Sequence, residues 1–308
     1  MSLRVTPATL NRSVMDGLQG NLSRLQHTQQ QLASGRRINR MSDSPVDGAA
    51  AMRLRAEQGA NEQLGRNVED GLNTLGAADT TFTSMSALVL KIRQLVVSGL
   101  NSTNGPAERE AMATEIDQLK DGLIGLANTQ YLGRPIFAGT QDVTAAYDAT
   151  TGQYLGNNSA VQRSVSTDSK AKLDVTVTGP ATFSTLFNDG VVTVGVGTVN
   201  TGILNDISAA LRDPTRTPDL NTQLGKLDIA SETMQNARSV VGTRFNRLLS
   251  IQGAGESRLD AVTANLAVAE NIDLPKTIID MQIQSTSYQA ALGAAAKIIQ
   301  PSLLDFLR

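Results

Sequence analysis

The chain carries few side chains that could act as nucleophiles, acid–base catalysts or metal ligands. It contains one histidine, His27, and no cysteine, which excludes disulfides, thiolate metal sites and thiol nucleophiles. His27 lies in a glutamine-rich stretch, QHTQQQ, that is typical of a solvated helix face. No spacing around it supports a catalytic triad or a histidine-rich metal site. We therefore predict that the chain is not an enzyme and needs no cofactor or metal.

Two further groups of residues resemble ligand sites only superficially. Three glycines lack both the G-x-G-x-x-G spacing and the lysine of a phosphate-binding loop, so we interpret them as turn residues. Three acids lack the regular oxygen-ligand spacing of an EF-hand, so we interpret them as surface acids. The three glycines are Gly195, Gly197 and Gly202, and the three acids are Asp142, Asp148 and Asp189.

Net charge and hydropathy give no indication of a nucleic-acid or membrane partner. The formal net charge is -2, and the tight basic group Arg36, Arg37 and Arg40 has no interleaved aromatic side chains for base stacking. We favour a charged flank of a helix over a nucleic-acid patch. No run of 18 apolar residues occurs, and the first residues lack the apolar core of a secretory signal. Composition alone predicts a cytosolic protein without membrane insertion.

Apolar residues recur in an alternating 4-3 spacing at both ends of the chain and in two inner segments. This spacing is typical of helices that meet along a narrow contact stripe, here called a seam. The seam of the second helix consists of Val68, Gly71, Leu75, Ala78, Phe82, Met85, Val89, Ile92, Val96 and Gly99, and that of the third helix consists of Met112, Ile116, Leu119, Leu123 and Leu126. The N-terminal seam consists of Leu18, Leu22, Leu25 and Leu32. The C-terminal seam consists of Ile278, Met281, Tyr288, Leu292, Ile299 and Phe306. We therefore predict a mainly α fold, a long antiparallel helical bundle or coiled coil.

Helix-start and helix-stop residues divide the first half of the chain. Ser44 followed by Pro45 predicts the N-cap and first turn of a long second helix. Residues 101–105 predict its end, and Pro106 predicts the start of a third helix. The second and third helices are expected to form a helical hairpin.

From about residue 140, Gly, Thr, Ser, Asn and Val dominate the sequence. Residues 172–177 and 191–199 alternate in the pattern of β-strands, which predicts a small β-rich insert in the helical bundle. The predicted segments are an N-terminal assembly helix (1–44), the first half of a helical core domain (45–138), a β-rich outer domain (139–201), the second half of the core domain (202–270) and a C-terminal assembly helix (271–308).

The terminal helices carry too few large apolar residues to be stable alone. Burying one large apolar side chain contributes about 1.5–3 kcal/mol, whereas ordering one backbone residue costs about 1–2 kcal/mol. An isolated helix with so thin a seam is marginal. We therefore expect each terminal helix to pair with the other terminus or with a neighbouring subunit.

Both ends of the chain resemble the flagellin family. Residues 32–52, LASGRRINRMSDSPVDGAAAM, resemble its N-terminal signature, and the matching positions include Gly35, Arg37, Ile38 and Asn39. Residues 288–292 and 297–307 are similar to its C-terminal signature. Residues 133–140, GRPIFAGT, resemble a segment of the hook-filament junction branch of the family, although Pro135 replaces the usual aromatic. The matching positions in this segment are Gly133, Arg134, Phe137 and Gly139.

The resemblance implies a structural subunit of the bacterial flagellum, and this replaces the cytosolic prediction. It implies export through the flagellar type III apparatus and an extracellular position at the hook-filament junction. It also implies terminal helices that are disordered in the monomer and become a coiled coil when subunits self-associate into a ring or helical assembly. The implied partners are further copies of the chain, the first hook-associated protein, filament flagellin and an export chaperone that binds the C-terminal seam.

Two alternatives and one minor similarity remain. The chain could be filament flagellin itself or, in another functional class, a cytoplasmic coiled-coil adaptor. Residues 90–95, LKIRQL, resemble the flagellin helix that a vertebrate innate receptor recognises, and Arg93 takes the matching arginine position. We favour ordinary helix packing as the role of this stretch.

Overall fold

The computed structural model describes residues 7–101, 104–166, 171–183, 186–187, 202–213 and 217–299. The chain divides into two compact units. Unit 1 combines residues 1–59 with 258–308, and unit 2 consists of residues 60–257. Two long helices, α2 (Pro45–Gly99) and α6 (Thr217–Glu270), contribute residues to both units.

The remaining elements are shorter helices and two small antiparallel sheets. The helices are α1 (Pro7–Ser34), α3 (Pro106–Ala127), α4 (Pro180–Phe183), α5 (Gly202–Arg212) and α7 (Leu274–Ile299). The strands are β1 (Gln130–Tyr131), β2 (Arg134–Pro135), β3 (Gln162–Ser164) and β4 (Lys172–Asp174). Strand β1 pairs with β2, and β3 pairs with β4. The predicted mainly helical, flagellin-like fold with a small β-rich insert is confirmed.

The predicted start and end of α2 and the predicted start of α3 agree with the structure. Helix α2 begins at Pro45 and ends at Gly99, and α3 begins at Pro106 after Gly105 as its N-cap. Proline suits the first turn because its missing N–H would have no partner there and its fixed φ is already helical. Ser44 supports the start of α2, since its backbone oxygen accepts a hydrogen bond from the Gly48 N–H at 2.8 Å.

The core of unit 2 is built on the predicted seam of α2. The large or medium apolar residues of this seam are all buried, namely Val68, Leu75, Ala78, Phe82, Met85, Val89, Ile92 and Val96. Two glycines in the seam allow close approach of other elements: a Cβ on Gly99 would meet the Leu211 side chain, and one on Gly71 would meet Leu248. Burial of this face explains why the α2 pattern was clear in the sequence.

Six of the ten aromatic residues form one cluster that joins the insert to α2. They are Phe82, Phe137, Tyr147, Tyr154, Phe183 and Phe187. The rings of Phe137 and Phe183 meet edge to face with centroids 5.1 Å apart, and Phe82 contacts both. Aromatic burial, which is scarce in the composition, is therefore concentrated at the base of the insert.

Regular strand structure in the described part of the insert is short. Of the predicted strand 172–177, only Lys172–Asp174 pairs in a ladder, with Leu173 opposite Arg163. The predicted strand 191–199 and residues Asp189, Gly195, Gly197 and Phe306 lie outside the described residues. The segment boundaries at residues 44, 138, 201 and 270 stay predictions.

Candidate assembly surfaces

Helices α1 and α7 pack against each other in unit 1. The hydroxyl of Thr28, a buried residue of α1, donates a hydrogen bond of 2.8 Å to Gln284 Oε1. The described large apolar residues of the two predicted seams, Leu18 to Leu32 in α1 and Ile278 to Leu292 in α7, are at most partly buried in this pair. Leu22 is 38% exposed, Ile278 41% and Leu292 44%. The pair therefore leaves much of its apolar surface in contact with solvent.

The described side chains of α7 differ widely in burial, and the role of the predicted C-terminal seam in assembly stays a prediction. The most buried side chains of α7 are Thr277 and Ala295, and Met281 and Tyr288 are half-buried. Ile279 and Ile283 lie one turn apart on another face and are 56% and 58% exposed. Helix α7 thus exposes apolar residues on a second face, in addition to the face that meets α1. Ile299 ends the helix.

The flagellin-like motif at the end of α1 forms the connection to α2. Gly35 adopts φ +68, the left-handed conformation that favours glycine immediately after a helix. Its carbonyl oxygen accepts a hydrogen bond from the Ile272 N–H at 3.2 Å. The Arg37 N–H donates to the Glu270 carbonyl oxygen at 2.6 Å. The loop after α1 is therefore hydrogen-bonded to the short link between α6 and α7.

A buried carboxylate lies at the centre of this connection. The Glu270 side chain is 6% exposed, and its Oε2 lies 2.7 Å from the Arg55 guanidinium and 3.8 Å from Arg36 Nε. A buried carboxylate is costly to desolvate unless charged donors compensate it, which these arginines do. We call Glu270, Arg36 and Arg55 the Glu270 clamp. Arg36, part of the basic group in the sequence, has a structural partner here.

Arg37 reinforces the same connection from the α2 side. Its guanidinium donates to Asp47 Oδ2 at 2.8 Å and to the Ala269 carbonyl oxygen at 3.0 Å. Ser44 Oγ also donates to Asp47 Oδ2, at 3.0 Å. The Ser44 hydrogen bond, followed by the Arg37 contact, lowers the pKa of Asp47.

Asp43 organises the loop before α2. Its Oδ2 accepts hydrogen bonds from the backbone N–H groups of Arg40, at 2.8 Å, and Asn39, at 3.0 Å. The Arg40 hydrogen bond is the largest cause that lowers the pKa of Asp43. His27 Nε2 lies 3.3 Å from Asp43 Oδ1 although the histidine side chain is 45% exposed. His27 is thus on a solvated face, as predicted, and it also contacts a loop that sequence periodicity could not locate. Ile38, the residue before Asn39 in the family-matching motif, is half-buried.

The second motif, Gly133 to Gly139, forms a tight hairpin that leads into the aromatic cluster. Leu132 and Gly133 have φ +50 and +77, which is the conformation of a two-residue type I′ turn between β1 and β2. Phe137 is fully buried in the cluster. Gly139 has φ +71, and a Cβ there would overlap backbone and side-chain oxygens of Asn157. Arg134 is exposed.

Arg93 lies in an ion pair on the surface of unit 2. Its Nε is 2.7 Å from Asp228 Oδ1, and a second guanidinium nitrogen is 3.4 Å from Oδ2. Both side chains are about half exposed, at 48% and 47%. The pairing supports the packing role that we favoured for this helix, and the receptor surface stays a prediction.

One of the acids that the sequence offered as a possible ligand, Asp148, has a local role. Asp148 binds its own turn, because its Oδ1 accepts hydrogen bonds from the N–H groups of Thr150 and Thr151. Within the residues that the structure describes, no group of three His, Asp or Glu side chains could hold a metal ion. None of the described helices combines the length and hydropathy needed to cross a bilayer.

The comparison with known families gives a match in the N-terminal part of the chain. Residues 8–142 match the family model of the bacterial flagellin N-terminal helical region. This part of the chain is therefore similar to the N-terminal helical region of bacterial flagellins.

Among individual proteins, the chain resembles flagellar hook-associated protein 3. It is 24% identical to that of Escherichia coli (strain K12) over 305 residues, 95% of this chain and 96% of the relative. Flagellin of Bacillus subtilis (strain 168) is 26% identical over 312 residues, 97% of this chain and 96% of the relative. A candidate flagellar hook-associated protein from Vibrio parahaemolyticus shares the fold, with a TM-score of 0.62 and 23% identity over 74% of this chain and 99% of that chain. The predicted resemblance to flagellins, most of all to hook-associated protein 3, is confirmed.

Proposed function

We propose that the chain is a structural subunit of the bacterial flagellum that forms the hook-filament junction by self-association through α1 and α7. The observation that carries this proposal is the incomplete burial of the α1–α7 pair. Exposed apolar surface on paired helices is unfavourable in water, and further copies of the same helices can cover it. The similarity to hook-associated protein 3 over almost the whole chain supports the junction position.

Location and partners follow from the same proposal. The chain leaves the cell through the flagellar type III apparatus and has no catalytic role. It lies between the first hook-associated protein and filament flagellin, and an export chaperone binds its C-terminal helix before assembly. The hairpin motif at residues 133–140 favours the junction over the filament, because GRPIFAGT is the segment that resembles junction proteins.

Complementation tests the proposal. A strain lacking the gene should shed flagellin monomers and regain attached filaments when the wild-type chain is supplied. Leu292→Asp places a charge on the apolar surface of α7 and should abolish recovery, because a buried unpaired carboxylate opposes helix association. Ser287→Asp introduces the same charge at an exposed polar position of α7 and should restore attachment.

Electron microscopy of a labelled chain separates the alternatives. Label confined to the hook-filament boundary is the expected result. Label along the whole filament would identify a filament flagellin, and label retained inside the cell would favour a cytoplasmic adaptor. Full recovery by Leu292→Asp would show that the exposed apolar surface of α7 has no part in assembly.

A further inference from the structure

Unit 2 contains a small cavity between the β1–β2 hairpin, strand β3 and α2. Its volume is about 100 Å³. We call it the hairpin socket. Residues that line it include Tyr131, Arg134, Ile136, Val161, Arg163 and Val175.

The size of the hairpin socket limits what it can bind. Pockets for cofactors and drug-sized ligands measure about 300–1,000 Å³, and a cavity of about 150 Å³ holds a single benzene ring. A volume of about 100 Å³ therefore excludes a cofactor and suits one small group. A carboxylate with one or two methylene groups has this size.

The charges at the socket favour a carboxylate. Arg163 Nε is 2.8 Å from Asp70 Oδ2, so these two charges compensate each other. Arg134 lines the same cavity, and its guanidinium makes no hydrogen bond or ion pair with any residue in the described part of the chain. A guanidinium matches a carboxylate with two parallel hydrogen bonds, and partial exclusion of water strengthens them. The socket thus presents the Arg134 guanidinium beside the compensated Arg163–Asp70 pair, and its remaining walls are partly apolar and partly polar, the latter from Thr74, Gln141 and Thr176.

The backbone holds Arg134 at this position. It is the first residue after the Leu132–Gly133 turn, and Tyr131 lies opposite it in the β1–β2 ladder. The following residues, Pro135 and Ile136, are buried. A side chain fixed at its base loses less conformational freedom on binding than one on a mobile loop.

We propose that the hairpin socket binds an aspartate or glutamate side chain from a neighbouring copy of this chain. This proposal rests on the proposed self-association. Unit 2 offers acids of the required kind, because six exposed carboxylates have no hydrogen bond or ion pair to any residue that the structure describes. They are Glu69, Glu108, Asp121, Asp142, Glu232 and Glu256. Charge complementarity between copies would fix their register as well as add affinity.

Zero-length cross-linking tests the socket in assembled flagella. Arg134→Lys places a primary amine at the socket, and a carbodiimide joins an amine only to a carboxylate in direct contact. Flagella from a strain carrying this variant should give a cross-linked dimer of the chain, and mass spectrometry should identify one acid joined to the introduced amine. Arg134→Gln has no amine and should give no such product.

Charge reversal gives a second readout. Arg134→Glu should reduce the number of cells with attached filaments at least about tenfold, because like charges at a contact oppose association. Unchanged thermal unfolding of the purified variant would exclude a folding defect.

Two results would overturn the socket while leaving the proposed function intact. One is a cross-link from the Arg134→Lys variant only to a different flagellar protein. The other is normal filament attachment by Arg134→Glu without any cross-link in the Arg134→Lys strain. Wild-type chain that fails to restore filaments would overturn both proposals.

Discussion

The backbone N–H of Arg37 donates a hydrogen bond of 2.6 Å to the carbonyl oxygen of Glu270. These residues are far apart in sequence, yet each lies where one long helix gives way to another. The bond fixes the end of α1 against the start of the α6–α7 link, and the Glu270 side chain holds Arg55 and Arg36. The flagellin-like motif therefore joins both ends of the chain at one connection.

Removing the charge of Glu270 should loosen this connection. Glu270→Gln leaves Arg55 and Arg36 without their carboxylate, and we expect the free energy of unfolding of unit 1 to fall by about 1–3 kcal/mol. Hydrogen exchange of the Arg37 amide should become faster. Glu256→Gln, which removes an exposed carboxylate without a partner among the described residues, is the matched control and should leave both quantities unchanged. Equal effects of the two variants would argue against the clamp.

Lowering the pH should reduce the stability of the loop between α1 and α2. Hydrogen bonds hold the pKa values of Asp43 and Asp47 below their usual range. The unfolded chain then binds more protons than the folded chain near these pKa values, so the stabilisation is complete above about pH 4 and is lost as the pH falls through the folded-state values.

The pH effect can be measured by NMR. The carboxyl carbon of Asp43 should titrate below the range of a free aspartate, and the amide signals of Asn39 and Arg40 should shift with it. In Asp43→Asn these amides should show no titration in the same interval. Titration of Asp43 above the usual aspartate range would contradict the hydrogen-bonding scheme.

Alanine substitutions at two glycines of the hairpin motif allow the cost of backbone strain to be measured apart from the cost of steric overlap. Gly133 and Gly139 both have positive φ, but a Cβ meets open space at Gly133 and overlaps Asn157 oxygens at Gly139. Gly133→Ala should therefore cost about 1–2 kcal/mol of stability. Gly139→Ala should cost about 1–3 kcal/mol more, because the overlapping backbone oxygen cannot move freely. Urea unfolding of unit 2 measures both, and equal losses would refute the steric argument.

The ion pair between Arg93 and Asp228 should contribute little to stability. Both side chains are about half exposed, and such pairs contribute about 0.2–1 kcal/mol because solvent screens them. A double-mutant cycle with Arg93→Ala and Asp228→Ala measures the coupling, which should shrink at high salt. A coupling well above 1 kcal/mol would indicate a contact that solvent does not reach.

Sequence periodicity predicted the elements that bury a continuous face. The α2 seam and the helix starts at Pro45 and Pro106 agree with the structure, because each depends on local spacing or on the fixed geometry of proline. The predicted α3 seam agrees at Ile116 and Leu123, which are buried, whereas other positions of that helix are buried beside it. A narrow stripe tolerates a small rotation of the helix without loss of its apolar contacts.

Other features depend on contacts between residues distant in sequence. The Glu270 clamp joins arginines near the start of the chain to an acid near its end, and no spacing rule relates them. The contact between His27 and Asp43 depends on where a loop returns to α1. The flagellin resemblance indicated that Gly35, Arg37 and Asn39 are important, but only the three-dimensional structure shows which atoms they contact.

The ring cluster at Phe82, Phe137 and Phe183 has a consequence for sequence variation. It attaches the insert to α2, so the turn at residues 148–153 is not needed for this attachment. Epitope tags or longer loops placed in that turn should leave the helical subunit intact. The sequence of this turn can thus change in length and composition while the insert stays attached to α2.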